Sequence, residues 1–185
     1  VSSSQQTYRV LAISGSLRAG SSNSGLLDAA ARLAPAGVTV EFYRGLDLLP
    51  HFNPDRENEM IASVGDLRAK IRTCDGILIC SPEYARGVPG ALKNALDWLV
   101  GGIEIVGKPV ALLNASPYST HAHAALATII ETMSAKVIPE ASITIPLRGR
   151  KLPPNGIADD TEIAGALRAA MTALTCAMDN ARRRS

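Results

Sequence analysis

Aromatic residues make up only 4% of this 185-residue chain, with two phenylalanines, four tyrosines and a single tryptophan. Charge of either sign is also modest: charged residues are 19% of the chain and the formal net charge is +2. A balance that small excludes binding driven by the electrostatics of a phosphate backbone. The three cysteines, Cys74, Cys80 and Cys176, are odd in number and lack metal or redox spacing. They read as reduced and mostly buried thiols, which points to the cytoplasm. No apolar run approaches the roughly 20 residues that span a bilayer, so no membrane partner is expected. The start, Val1 to Gln6, has no apolar centre and reads as a disordered leader over residues 1–7. Residues 8–185 then read as one domain.

What the chain has is alternation. Tyr8 to Ser14 is an apolar run suited to a strand, and Leu26, Leu27, Ala30 and Leu33 follow at helical spacing. Strands are expected at 8–14, 38–43, 76–81, 108–115 and 136–145. Helices are expected at 23–34, 60–74, 89–100, 122–133 and 159–182. This βα repetition calls for an α/β, three-layer, flavodoxin-like fold. Its five-stranded parallel sheet should have the order 2-1-3-4-5, with a ligand crevice between the carboxyl ends of strands 1 and 3. The loops after those two strands, Gly15 to Ser24 and Pro82 to Val88, are the most distinctive in the sequence.

The first of them, GSLRAGSSNS, runs straight from a strand into a helix. Such a loop directs free backbone N–H groups and the positive end of the helix dipole at one point, where an anion is stabilised. A P-loop would need lysine where Ser21 stands, and strand 3 offers no carboxylate for magnesium. A dinucleotide fingerprint would need glycine where Leu17 stands. A terminal monophosphate fits better: Ser16, Ser21, Ser22, Asn23 and Ser24 offer neutral donors, and Arg18 a charge-assisted one. A Ser/Gly connector with no ligand is the competing reading of the loop.

Gly15-Ser16-Leu17-Arg18 with Ser21 and Asn23, and Ser81-Pro82-Glu83-Tyr84 with Gly87 and Pro89 through Trp98, resemble the NADPH-dependent FMN reductase family. Leu49-Pro50, Phe52-Asn53 and Asp55 are similar to the loop that family carries after its second strand. The resemblance runs from about Val10 to Ser116. It implies FMN as cofactor and NADPH (or NADH) as reductant. Hydride would pass to the flavin, then electrons to a small-molecule acceptor such as a quinone, chromate, an azo dye or free flavin, by a ping-pong route. It further implies that Ser16, Arg18, Ser21, Ser22, Asn23 and Ser24 bind the FMN phosphate. Pro82, Glu83, Tyr84, Gly87 and Ser116 would line the ring. No catalytic side chain is implied, because the flavin carries the chemistry.

After Ser116 the chain departs from the family's Gly-rich continuation and has Pro117-Tyr118-Ser119-Thr120-His121-Ala122-His123. His121 and His123 diverge on a helix, so no metal site is expected. Leu92, Leu96, Trp98 and Leu99 form an apolar stripe, either core or subunit interface; the resemblance favours an interface in a homodimer or homotetramer. A flavodoxin-type electron carrier is the alternative function, and a fold with an empty crevice is a third.

Overall fold

The computed structural model describes residues 7–152 and 156–184. The expected leader therefore lies, but for Thr7, outside the described residues, as do positions 153–155 of the loop before the last helix. The elements in order are β1 (Tyr8–Ser14), α1 (Ser22–Arg32), β2 (Val38–Tyr43), α2 (Ala62–Thr73), β3 (Gly76–Cys80), α3 (Gly90–Asp97), β4 (Pro109–Leu113), α4 (Thr120–Thr132), β5 (Lys136–Val137) and α5 (Thr161–Arg182). The strands form one sheet of order β2-β1-β3-β4-β5, and every pairing is parallel. The doubly wound order expected from the alternation is the one observed.

Period-2 alternation explains the layers, because successive side chains on a strand point to opposite faces. Leu11, Ile13, Ile77, Ile79, Val110 and Leu112 face α2, α3 and α4. Val10, Ala12, Leu78, Cys80, Ala111 and Leu113 face α1 and α5. Both faces are covered, so β3 and β4 are buried at every position. Among the described residues no helix is long and apolar enough to cross a membrane.

Three expectations are corrected. The strand expected over 136–145 pairs only at Lys136 and Val137. Pro139 has no N–H to donate to a ladder and instead opens a 3-10 turn, Pro139–Ala141. The chain rejoins the sheet through one isolated bridge, Asn114 to Thr144. Pro89, expected as the first helical residue, is instead the N-cap of α3, with extended ψ of 137°. The stripe on α3 is core rather than interface: Leu92, Leu96, Trp98 and Leu99 are each no more than 2% exposed.

Trp98 also explains the loop after β2. Its indole N–H donates to the Pro50 carbonyl at 2.8 Å, and its ring meets Phe52 edge-on at 5.1 Å. Asn94 completes the clamp: its Nδ2 donates to the Pro50 carbonyl at 2.9 Å and its Oδ1 accepts the Phe52 N–H at 2.8 Å. The paired motifs of loop and helix thus serve to hold a long connection against the core.

Candidate functional site

Gly15 brings the loop after β1 against the end of β3. Its N–H donates to the Cys80 carbonyl at 2.9 Å. A Cβ placed there would lie 2.8 Å from the Ser81 Cβ and closer still to its Oγ. Only glycine allows that approach, and it joins the two loops that the strand order predicts should meet.

Beyond Gly15 the hydroxyls interlock. Ser24 Oγ donates to Ser14 Oγ at 3.0 Å, Ser14 Oγ accepts the Ser16 N–H at 3.3 Å, and Ser16 Oγ accepts the Arg18 N–H at 3.3 Å. Ser21 is the N-cap of α1, accepting the Asn23 N–H at 3.2 Å. Ser/Thr caps of this kind stabilise a helix by about 1 kcal/mol. Asn23 is buried and turned inward: Nδ2 donates to Ser21 Oγ at 3.3 Å and Oδ1 accepts the Cys80 thiol at 3.2 Å. Burial drives the Cys80 thiol far above its ordinary pKa, so it remains a proton donor to that amide. The guanidinium of Arg18, by contrast, is exposed and makes no hydrogen bond or ion pair among the described residues.

The loop after β3 closes on itself. Tyr84 and Gly87 exchange both backbone hydrogen bonds, at 3.1 and 2.9 Å, around Ala85 and Arg86 with φ of 49° and 60°. Positive φ at both central residues is the geometry of a type I′ turn. It leaves Tyr84 and Arg86 exposed at the rim. Glu83 turns the other way: its Oε2 accepts the Ala122 N–H at 2.8 Å, satisfying an N–H in the first turn of α4 that Ser119 does not cap. A carboxylate at a helix N-terminus also suits the macrodipole.

The loop after β4 is organised by Asn114, 4% exposed. Its Oδ1 accepts the Ser116 N–H at 3.0 Å and its Nδ2 donates to the Ser119 carbonyl at 3.3 Å. His121 is exposed and His123 half-buried, its imidazole held below the usual histidine range by burial. No cluster of three metal-ligating side chains occurs among the described residues.

Two clefts result. The larger, about 670 Å³, lies between the loops after β1 and β2 and is lined by Ser16, Arg18, Ser21, Ser22 and Ser24, with Phe42 to Arg44 opposite. The smaller, about 340 Å³, lies where the loops after β1, β3 and β4 converge and includes Ser22, Asn23, Pro82, Glu83 and Ser116. Ser22 belongs to both and joins them. Size and topology disagree about which cleft matters more: the switch-point rule favours the smaller, since only it lies between β1 and β3. Tyr84 and Gly87 line neither. Sequence reasoning missed Ser14, Asn114, Ser119, Leu147 and Arg148. Ser14 and Asn114 carried a usable signal, as polar residues at or just beyond the carboxyl ends of apolar strands.

The donors suit a phosphoryl group joined to a polar, flat ligand: hydroxyls, amides and the Arg18 guanidinium beside the start of α1, with Arg44 on the opposite wall over the Phe42 ring, then a second cleft with backbone and amide groups on its walls. The profile of the NADPH-dependent FMN reductase family matches residues 8–148. An NAD(P)H-dependent FMN reductase from Pseudomonas aeruginosa is 40% identical over 111 residues, 58% of this chain and 60% of that protein. A quinone reductase from Escherichia coli K12 is 37% identical over 115 residues, 60% of this chain and 61% of that one. The match thus spans about 60% of the length of these curated relatives. A solved structure of FerB, a flavoenzyme NAD(P)H:(acceptor) oxidoreductase from Paracoccus denitrificans, superposes with a TM-score of 0.84 at 27% identity, covering 94% of this chain and 98% of that one.

Proposed function

The chain belongs to the NADPH-dependent FMN reductase family, and from that premise we propose that it binds FMN across its two joined clefts and oxidises NADPH (or NADH) at the expense of a small-molecule acceptor. The observation that carries the reading is the continuity through Ser22 of a donor-rich cleft at the start of α1 with a second cleft at the β1/β3 junction. The names of the curated relatives favour a quinone as acceptor; chromate, azo dyes and free flavin are further acceptors of the same proposal.

Arg18, Ser16, Ser22 and Ser24 would hold the phosphate. Ser21 and Asn23 act one step back, fixing the first turn of α1 through the cap and the Cys80 bond. Pro82, Glu83 and Ser116 would border the ring; Glu83 does so through its backbone, its carboxylate being committed to α4. Tyr84 and Gly87 would shape the rim. When bound, FMN would supply the two-electron chemistry that links a nicotinamide to an acceptor. Donor and acceptor sharing one open face would give ping-pong kinetics.

The test is the visible spectrum of the purified protein with FMN, before and after anaerobic NADPH. Bleaching without added acceptor is expected. Bound flavin that NADPH leaves yellow would point to an electron carrier, and a protein that takes up no FMN would sink both readings. Arg18→Ala should weaken FMN binding about 10- to 100-fold by loss of one charge-assisted contact. Unchanged affinity, by fluorescence titration, removes Arg18 from the site.

The three described thiols are free, in keeping with a cytoplasmic setting, although Cys176 is exposed and only Cys74 and Cys80 are buried. For the homodimer or homotetramer we propose the segment after α3, where Val100, Ile103 and Val106 are 62%, 84% and 51% exposed. Light scattering should find an Ile103→Asp variant dissociated; an unchanged mass moves the interface elsewhere.

A further inference from the structure

The smaller cleft has one cation on its walls, and it comes from a segment far away in sequence. Arg148 lies after β5, in a stretch whose composition reads as ordinary surface loop. The segment is nonetheless tethered on both sides. The Leu147 N–H donates to the Ala115 carbonyl at 3.2 Å, and the Leu147 side chain is buried. Two residues on, Arg150 makes a two-pronged ion pair with Asp160 at 3.0 and 3.2 Å and a further one with Glu162. Arg148 is therefore held at the cleft by its neighbours while its own guanidinium remains uncommitted: it makes no hydrogen bond or ion pair with any described residue. The one carboxylate on the same walls, Glu83, is engaged by the Ala122 N–H. A positive charge thus faces the cleft without a negative side chain assigned to it.

Nothing in the architecture requires a charge there. The backbone anchor is made by Leu147, and the ion pair that pins the segment is made by Arg150. Of the three non-glycine residues in 147–150, Leu147 and Arg150 have structural partners and Arg148 borders the site.

We infer that Arg148 is a redox-tuning residue, whose guanidinium lies beside the polar edge of a flavin ring in the smaller cleft and favours the reduced, negatively charged form over the oxidised, neutral one. The inference rests on the FMN reading above. Its physics is that of any preorganised charge aimed where charge develops: the attraction is absent before electrons arrive and present afterwards.

The experiment measures dissociation constants for oxidised FMN and for dithionite-reduced FMN in the wild type, Arg148→Gln, Arg148→Lys and Arg168→Ala. Arg168 is an exposed cation on α5 and controls for overall charge. In Arg148→Gln, binding of reduced FMN should weaken at least tenfold more than binding of oxidised FMN. For a two-electron couple that ratio is a fall of about 30 mV in midpoint potential. Arg148→Lys should keep the ratio within about twofold of wild type, and Arg168→Ala should leave it unchanged. Equal weakening of both forms in Arg148→Gln would make Arg148 a general contact and overturn the inference, as would an equal shift in Arg168→Ala. A wild-type protein that binds neither form removes the FMN reading itself, a result distinct from normal binding with an unmoved ratio.

Discussion

Replacing Gly15 by alanine should cost about 2–3 kcal/mol of folding stability and lower FMN affinity roughly a hundredfold. The added methyl would lie 2.8 Å from the Ser81 Cβ and 3.1 Å from Leu92 Cδ2. Rotating the Ser81 hydroxyl relieves part of this overlap but not the contact between the two Cβ atoms. The backbone has little room to retreat, because the Gly15 N–H is bonded to the Cys80 carbonyl. The loop must therefore lift from β3, carrying with it the phosphate donors and the seam between the two clefts. Urea unfolding and FMN titration of the same variant measure the two effects. Gly20→Ala is an instructive partner. Gly20 has φ of 68° and open space around its Cβ position, so only left-handed backbone strain of about 1 kcal/mol is expected. Adding Ser81→Gly to Gly15→Ala should restore most of the loss, since it removes the atoms struck. A Gly15→Ala variant with wild-type stability and affinity would show that the loop approach is not tight.

Trp98→Ala should destabilise the fold by about 3–5 kcal/mol. Trp98 is the largest of the fully buried side chains, and its loss opens a cavity between α3 and the loop after β2. It also leaves Asn94 as the sole side-chain partner of the Pro50 carbonyl among the described residues and strips Phe52 of its edge-on neighbour. Trp98→Phe should separate the contributions: it keeps most of the apolar volume, removes only the indole N–H and part of the ring, and should cost about 1–2 kcal/mol. The shift in urea midpoint is the measurement. A loss below about 1 kcal/mol for Trp98→Ala would mean that the loop closes into the space and that the clamp is dispensable.

The parts of this molecule that sequence made plain are those whose cause is local. Tyr8 to Ser14 and Val38 to Tyr43 form strands over the expected residues, because apolar content and alternation act within a few positions. The sheet order followed from the alternation of strands and helices. The last strand did not, because its apolar residues Ile138, Ile143 and Ile145 suggest a ladder that Pro139 interrupts. Asn23 looked like a phosphate ligand, since a polar side chain at a helix start commonly is one. Its inward turn depends on a thiol 57 residues away, which only the pairing of β1 with β3 brings near. The apolar stripe around Trp98 carried the same pattern whether core or interface; the loop that covers it decided the matter. Arg148 had no local signal at all.

The short β5 has a consequence for how the protein behaves in concentrated solution. A parallel sheet has two open margins, each a row of unpaired amides on which a foreign strand can grow. At one margin only Lys136 and Val137 are in register before Pro139 ends the ladder, so an incoming chain finds almost no template. At the other, β2 runs for six residues, and its defence is charge: Glu41 is paired with both Lys70 and Arg9. Self-association into amyloid-like stacks therefore has one geometrically favoured entrance, along β2, and it is guarded by ion pairs that salt and acid weaken.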